Sequence, residues 1–117
     1  MIITLADSGV PLVDQIQDQI RGLITTGLLS ADQRLPSVRQ LASDLGVAPG
    51  TVAKAYRSLE SEGFLVTRIG SGTRVSASAS ATPREVLAAA TRLAAASRRE
   101  SVGLDEAIRV LRAIWPD

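Results

Sequence analysis

The stretch Gln40-Leu41-Ala42-Ser43-Asp44-Leu45-Gly46-Val47-Ala48-Pro49-Gly50-Thr51-Val52 constrains the fold of this chain more than any other. Ala42 is small enough for two helices to cross closely, and Gly46 supplies a left-handed residue to end the first of them. Pro49 suits the first turn of the second, where a missing N–H costs nothing. Leu41, Leu45, Val47 and Val52 fall inside the crossing, which is helix-turn-helix spacing. Ser37 and Gln40 stand at capping-box spacing and predict a short helix over 38–45. Val52, Ala55, Tyr56 and Leu59 predict the buried stripe of a helix running from Pro49 to a stop at Gly63. Its other face carries Thr51, Lys54, Ser58 and Ser61, with Arg57 alongside.

The flanking segments make the fold class mainly α with a small β-hairpin. Pro11 and the stripe Leu12, Ile16, Ile20, Leu23 and Ile24 predict a helix over about 11–26. Leu28 to Leu35 reads as a loop that tucks its leucines inward. Phe64 to Arg68 and Thr73 to Ser76 are β-prone runs joined by Ile69-Gly70-Ser71-Gly72, a glycine-supported hairpin with a small, polar tip. The Ser-Ala repeat that follows lacks bulk to bury, so we expect a domain over 1–76, a linker over 77–82 and a helical segment over 83–117. Thr82-Pro83-Arg84-Glu85 offers a cap, a proline at the first helical position and a capping-box Glu for a fourth helix reaching about Arg99. Gly103 breaks the chain, and Ala107, Ile108, Leu111, Ile114 and Trp115 share a face of a fifth helix before Pro116.

Composition excludes much chemistry. A chain of 117 residues has no room for two large catalytic lobes. With neither His nor Cys it lacks the usual metal ligands, a thiol nucleophile, an imidazole base and any disulfide, so we expect no cofactor, no metal and no enzyme. The acids Asp105 and Glu106 suit a helix amino terminus better than catalysis. Aromatics at 3% argue against a reader that stacks bases. Nowhere do about 18 apolar residues stand together, so a cytoplasmic chain with no membrane partner is expected. The net charge of +1 conceals a gradient: residues 1–33 hold one Arg against four Asp, whereas 34–74 hold six basic residues against Asp44, Glu60 and Glu62. Twelve of the thirteen basic residues are Arg, a choice that favours forked hydrogen bonding to phosphate or guanine.

Pro11-Leu12, Gln15-Ile16, Leu35-Pro36-Ser37-Val38-Arg39-Gln40-Leu41-Ala42, Thr51-Val52, Ala55-Tyr56, Leu59-Glu60 and Glu62-Gly63 resemble the amino-terminal domain of GntR-family transcriptional regulators. The resemblance continues through Gly70, Gly72, Thr73 and Val75, covering about 11–76. It implies a winged helix-turn-helix whose third helix enters the major groove while the hairpin wing meets the adjacent backbone or minor groove. With only about 35 residues after the linker, the chain resembles the short YtrA-type branch, in which two helices after the wing serve dimerisation and members often regulate transport operons. The expected function is a sequence-specific DNA-binding transcriptional regulator, a repressor, that binds a palindromic operator as a homodimer. Two departures stand out. Ala31-Asp32-Gln33 replaces a frequent Pro-Gly-Asp turn, and Pro49-Gly50 replaces a polar pair that often contacts DNA.

The expected contacts to double-stranded DNA follow. Ser37 caps a helix and meets phosphate, and Arg39 grips phosphate or a base near the same helix end. Gly50 permits close backbone approach, and Thr51, Lys54 and Arg57 read bases or phosphates. Arg68, Gly70, Ser71, Gly72 and Arg74 act as a wing. Tyr56 belongs to the core. The tail helices bury too little between themselves to stand alone, so Leu87, Ala90, Leu93, Ala94, Ile108, Leu111, Ile114 and Trp115 are expected to dimerise. A cavity between the tail and the DNA-binding part is the expected place for a small apolar effector. The rival reading is a winged-helix protein-interaction module that has lost operator binding through Pro49-Gly50.

Overall fold

Ile16, Ile20 and Ile24, spaced four apart, are buried along one side of α1 (Leu12–Thr25), as an amphipathic helix requires. In the computed structural model, which describes residues 1–79 and 82–116, that stripe packs on α3 (Pro49–Ser61). Between them in sequence lies α2 (Val38–Leu45). A two-stranded antiparallel hairpin follows, β1 (Leu65–Arg68) and β2 (Gly72–Val75). Then come α4 (Arg84–Arg99) and α5 (Leu104–Ile114). Contacts divide the chain into two compact units, Met1–Ala81 and Thr82–Asp117. Ser80 and Ala81, which fall in the expected linker, lie outside the described residues.

The first unit is a winged helix with one core. Leu41 and Ala42 of α2, Val52, Ala55, Tyr56 and Leu59 of α3, and Leu65 and Val75 of the hairpin join the α1 isoleucines in it. Gly46 adopts φ +68 and Gly63 φ +87, so both helices end through left-handed glycines. Leu29 and Leu35 are buried as expected, but Leu28 points to solvent, because the two leucines are adjacent and one turn cannot bury both. Asp32 takes φ +64 in the turn after α1, and the Gln33 amide donates to the Ser30 carbonyl at 3.1 Å. A turn therefore forms without Pro-Gly, with an aspartate in the left-handed position it tolerates better than most residues.

Two features escape the sequence patterns. Residues 33–35 pair with β2: the Leu35 amide donates to the Thr73 carbonyl and the Val75 amide to the Gln33 carbonyl, both at 2.9 Å. Arg34 thereby bridges to Arg74, and the wing gains a third, very short strand. The leading residues form a strap along α1. The Gln19 side-chain amide bonds both the N–H and the carbonyl of Thr4, and that of Gln15 does the same for Ala6, at 2.7–2.9 Å. Two glutamines one turn apart thus complete the backbone hydrogen bonding of an extended segment, while Ile3 and Leu5 pack against the core.

The second unit is a helical pair. The chain reverses at Ser101, φ 58, rather than at Gly103, which instead caps α5 at an ordinary φ of −77. Thr82 does not cap α4: the helix starts one residue late, Pro83 occupies the cap position in extended conformation, and Thr82 is too far upstream for its hydroxyl to reach the first amides. Trp115 lies just past the end of α5, so it extends that helix's apolar face without being part of the helix.

Tyr56 ties the crossing helices together. Its hydroxyl donates to the Pro36 carbonyl at 2.8 Å, linking α3 to the segment that enters α2, and burial pushes its pKa well above the usual tyrosine value. Replacing this hydroxyl leaves a carbonyl without its partner, so Tyr56→Phe should lower stability by about 1–2 kcal/mol in denaturant melts. Because folding raises the phenol's pKa, its contribution to stability is full below the unfolded value of about 10 and declines as pH rises beyond it. Tyr56 is the chain's single tyrosine, so absorbance at alkaline pH should show no phenolate near pH 10 until the protein unfolds.

Candidate nucleic-acid interface

Core packing consumes one side of α3 and leaves the other bare. Pro49, Gly50, Lys54, Arg57 and Ser61 are exposed, and Thr51 and Ser58 are half-buried beside them. The cap residue Ala48 offers no side-chain hydrogen bond, so the first amides of this helix lack the acceptor that a Ser or Asp would give. The Thr51 amide turns back to the Ala48 carbonyl at 3.0 Å. Gly50 has an ordinary helical conformation and nothing within 4 Å of where a Cβ would sit, so the fold itself does not require glycine there.

On α2, the Ser37 hydroxyl accepts from the Gln40 amide at 3.1 Å, the expected cap. The reciprocal half of the box is missing, because the Gln40 side chain donates to Asp44 Oδ1 at 2.8 Å, a partner one turn along the same helix. Arg39 is exposed. Among the described residues, the side chains of Arg39, Lys54, Arg57 and Arg68 have neither a hydrogen-bond nor an ion-pair partner. The ion pairs that do form lie elsewhere: Arg21 holds Asp18 at 2.7 Å and Glu62 at 2.8 Å, with its guanidinium 5.6 Å from the Phe64 ring centre. Acids thus neutralise the arginine that joins α1 to the end of α3, not those on the bare faces.

The wing turns through residues 69–71, with the Ser71 amide donating to the Arg68 carbonyl at 3.2 Å. Gly70 takes φ +84 and Gly72 φ +72, positions where L side chains are strained. Ser71 is half-buried, and Arg74 commits one donor, Nη1, to the Asp32 carbonyl at 3.0 Å. The tip is not wholly polar as expected, since Ile69 is fully exposed there. Arg34 is a second residue that pattern reading passes over. Its guanidinium lies over Gly72, where a Cβ would stand 3.3 Å from Arg34 Nε. A strand of three residues leaves no periodic signal to find it by.

In the second unit no residue of α4 or α5 is buried. Ala90, Leu93, Ala94, Ile108 and Leu111 line an apolar groove of about 300 Å³ between the two helices. Leu87 is half-buried, and Ile114 and Trp115 are exposed.

Residues 12–75 match the model of the bacterial regulatory proteins of the gntR family, which is more than half of the chain. The chain belongs to the GntR family. Over 75 residues it is 41% identical to the transcriptional repressor YtrA of Bacillus subtilis, covering 64% of this chain and 58% of that one. The structure of YtrA from Sulfolobus acidocaldarius, a GntR-family transcription factor, superimposes with a TM-score of 0.61 at 41% identity, covering 83% of this chain and all of that one. The DNA-binding domain of AraR in complex with operator ORX1 superimposes with a TM-score of 0.55 at 30% identity, covering 65% of this chain and 92% of that one. The chain spans 58% of the length of the Bacillus repressor and 15% of another curated relative, a rhizopine catabolism regulator of Rhizobium meliloti. Among the described residues, no helix is long and apolar enough to cross a membrane.

The glycines of this GntR domain separate by role. Gly50→Ala should raise stability by about 0.5 kcal/mol, since it adds helix propensity where nothing obstructs a methyl group. Gly72→Ala should lower it by about 1 kcal/mol or more, because the backbone is left-handed and Arg34 must move. Thermal melts of both variants check the contrast.

Proposed function

We propose that this GntR-family chain is a sequence-specific DNA-binding transcriptional regulator, a repressor rather than an enzyme, that works as a homodimer on a palindromic operator in the cytoplasm. The observation that carries the reading is the coincidence of the bare face of α3 with cations that no acid of the described residues neutralises. In this reading α3 enters the major groove. Thr51, Lys54 and Arg57 face base edges and phosphates there, while Gly50 lets the backbone approach closely. Ser37 and Arg39 hold a phosphate at the start of α2, and Arg68, Gly70, Ser71, Gly72 and Arg74 bring the wing to the neighbouring backbone. The operator complex of the similar AraR domain supports this placement, and the YtrA repressor of Bacillus subtilis supports the sign of regulation.

The dimer rests on the tail. Helices of 16 and 11 residues with no buried side chain are marginal in water, and Ile108, Leu111, Ile114 and Trp115 present an apolar surface to solvent. A two-fold pairing of these helices covers that surface and sets two copies of α3 on half-sites about 10 base pairs, or a modestly longer spacing, apart.

Selection from a randomised duplex pool should enrich a palindrome, and the absence of any enriched sequence rejects operator reading in favour of a protein-interaction module. On the selected duplex the logarithm of affinity should fall against the logarithm of salt with a slope of about −0.9 per phosphate contact, and a flat line contradicts phosphate neutralisation. The double variant Ile108→Glu, Leu111→Glu should sediment as a monomer and lose about 100-fold on the palindrome through lost avidity. Sedimentation unchanged from the parent protein removes the tail as the dimer interface.

A further inference from the structure

We propose that Glu60 is a positioning residue for DNA binding: through the hydroxyls of Thr67 and Thr73 it locks the outer half of the wing to α3, so that Arg68 meets the duplex in one fixed relation to the reading helix. The proposal rests on the operator reading above and adds to it a residue that itself touches no DNA.

The wing has three strands in the order 33–35, β2, β1, because residues 33–35 bond β2 and β2 pairs with β1. β1 is therefore an edge strand with one neighbour. Its base is anchored by Leu65, buried opposite Val75. Beyond Leu65 no side chain of β1 is buried: Val66, Thr67 and Arg68 are exposed. A two-stranded hairpin is marginally stable by itself in water, so apolar packing at its base leaves Arg68 and the turn loosely held.

Thr67 supplies a second anchor. It stands opposite Thr73, whose carbonyl is bonded to Leu35 on the other side, so the 67–73 position carries no backbone bond and its side chains lie close. The Thr67 hydroxyl bonds the Thr73 hydroxyl at 3.0 Å and Glu60 Oε1 of α3. Chemistry fixes the direction of both bonds. A carboxylate only accepts, so Thr67 gives its one proton to Glu60 and accepts from Thr73. Both strands of the wing are thus tied to the last turn of α3 in a single donor order, with a charge-assisted bond at the helix end.

The placement of Glu60 is otherwise unfavourable for a DNA-binding face. It is half-buried three residues after Arg57, a spacing at which opposite charges pair on a helix, yet among the described residues it makes no ion pair. The other two acids of the basic segment are engaged away from the wing, Asp44 by Gln40 and Glu62 by Arg21 and Gln17. Glu60 bonds the chain neighbour of Arg68, so its charge stands near cations of both α3 and the wing, where it repels phosphate. An acid kept in that place, and turned to a threonine instead of an arginine, serves the position of the wing and not charge balance.

The test uses the full chain and the duplex selected above, with affinity read across a salt series. Glu60→Ala removes a negative charge beside the DNA-binding face, so charge alone predicts tighter binding. Loss of the wing anchor predicts binding about 5-fold weaker, and that is the expected result. Glu60→Gln keeps an acceptor oxygen for Thr67 and should bind at least as tightly as the parent. The neutral change Thr67→Val, which retains strand propensity, should weaken binding as Glu60→Ala does. Arg68→Ala should weaken the parent about 5-fold, with a salt slope smaller by about 1 per protomer. It should weaken the Thr67→Val protein by less than about 2-fold, since both changes remove the same contact. Independent losses in this cycle overturn the proposal. So do Glu60→Ala and Thr67→Val proteins that melt lower than the parent yet bind as it does. Arg39→Gln separates the two readings: if it weakens binding while Glu60→Ala and Thr67→Val do not, the positioning role fails and the operator reading stands. If neither Arg39→Gln nor Arg68→Ala alters binding, the operator reading fails and the positioning role with it.

Discussion

Everything in the first unit depends on α3 being held from one side only. Val52, Ala55, Tyr56 and Leu59 bury their side chains in the core shared with α1, α2 and β1, while Pro49, Gly50, Lys54, Arg57 and Ser61 on the remaining arc of the helix stay exposed. A helix of 13 residues has little stability of its own in water, so its shape is set by that packing and not by its sequence propensity. This frees the outer positions. Ala48 and Gly50 make a poor helix start by local standards, with no side-chain cap and a glycine in the first turn, and although Pro49 suits its position, it is the tertiary contacts that fix the helix in place. The weak start is thus a place where local stability and function diverge, since small residues at the tip of α3 let its backbone come close to whatever it meets.

The wing depends on the same helix pair by a different route. Residues 33–35 lie between α1 and α2 in sequence and pair with β2 in space, so the hairpin is bonded to the chain that leads into Ser37 and the start of α2. The Tyr56 hydroxyl fixes the other end of that connection at Pro36. Wing, α2 and α3 are therefore joined through one short segment, and a shift of any of them must break a backbone hydrogen bond or leave a buried phenol without its acceptor. That coupling makes the cations on the three elements parts of one rigid surface. Rigid placement is what lets several weak ionic contacts act on one partner without each losing its own conformational entropy.

Much of this was legible in the sequence because it depends on local patterns. The five helices and the hairpin follow from stripes at helical spacing, helix-ending glycines and β-prone runs around a glycine turn, and the match to the GntR family rests on residues within the span of the first three helices and the hairpin. What was not legible came from pairing between distant segments. The third strand is three residues long and carries no alternation to see, so Arg34 had no pattern to mark it. The strap of Thr4 and Ala6 on Gln19 and Gln15 is likewise a long-range contact whose glutamines read as ordinary helix surface. Caps failed for a simpler reason: Thr82 and the Gln40 side chain each had the right spacing, but a one-residue shift at Pro83 and the competing acceptor Asp44 took the bonds elsewhere.

The two units solve the burial problem unequally. The first closes a core with isoleucines, leucines, valines, two alanines and one tyrosine, and its exposed cations are excess to folding. In the second, an alanine-rich α4 supplies helix propensity where packing is lacking, while α5 concentrates Ile108, Val110, Leu111 and Ile114 on a short helix that α4 covers only in part. High propensity in one helix and high apolarity in its neighbour is the combination expected of a pair that stays helical until a partner surface arrives. In the proposed dimer that arrangement links assembly to DNA binding, because covering the tail pairs two reading helices and a duplex bound by both in turn holds the tails together.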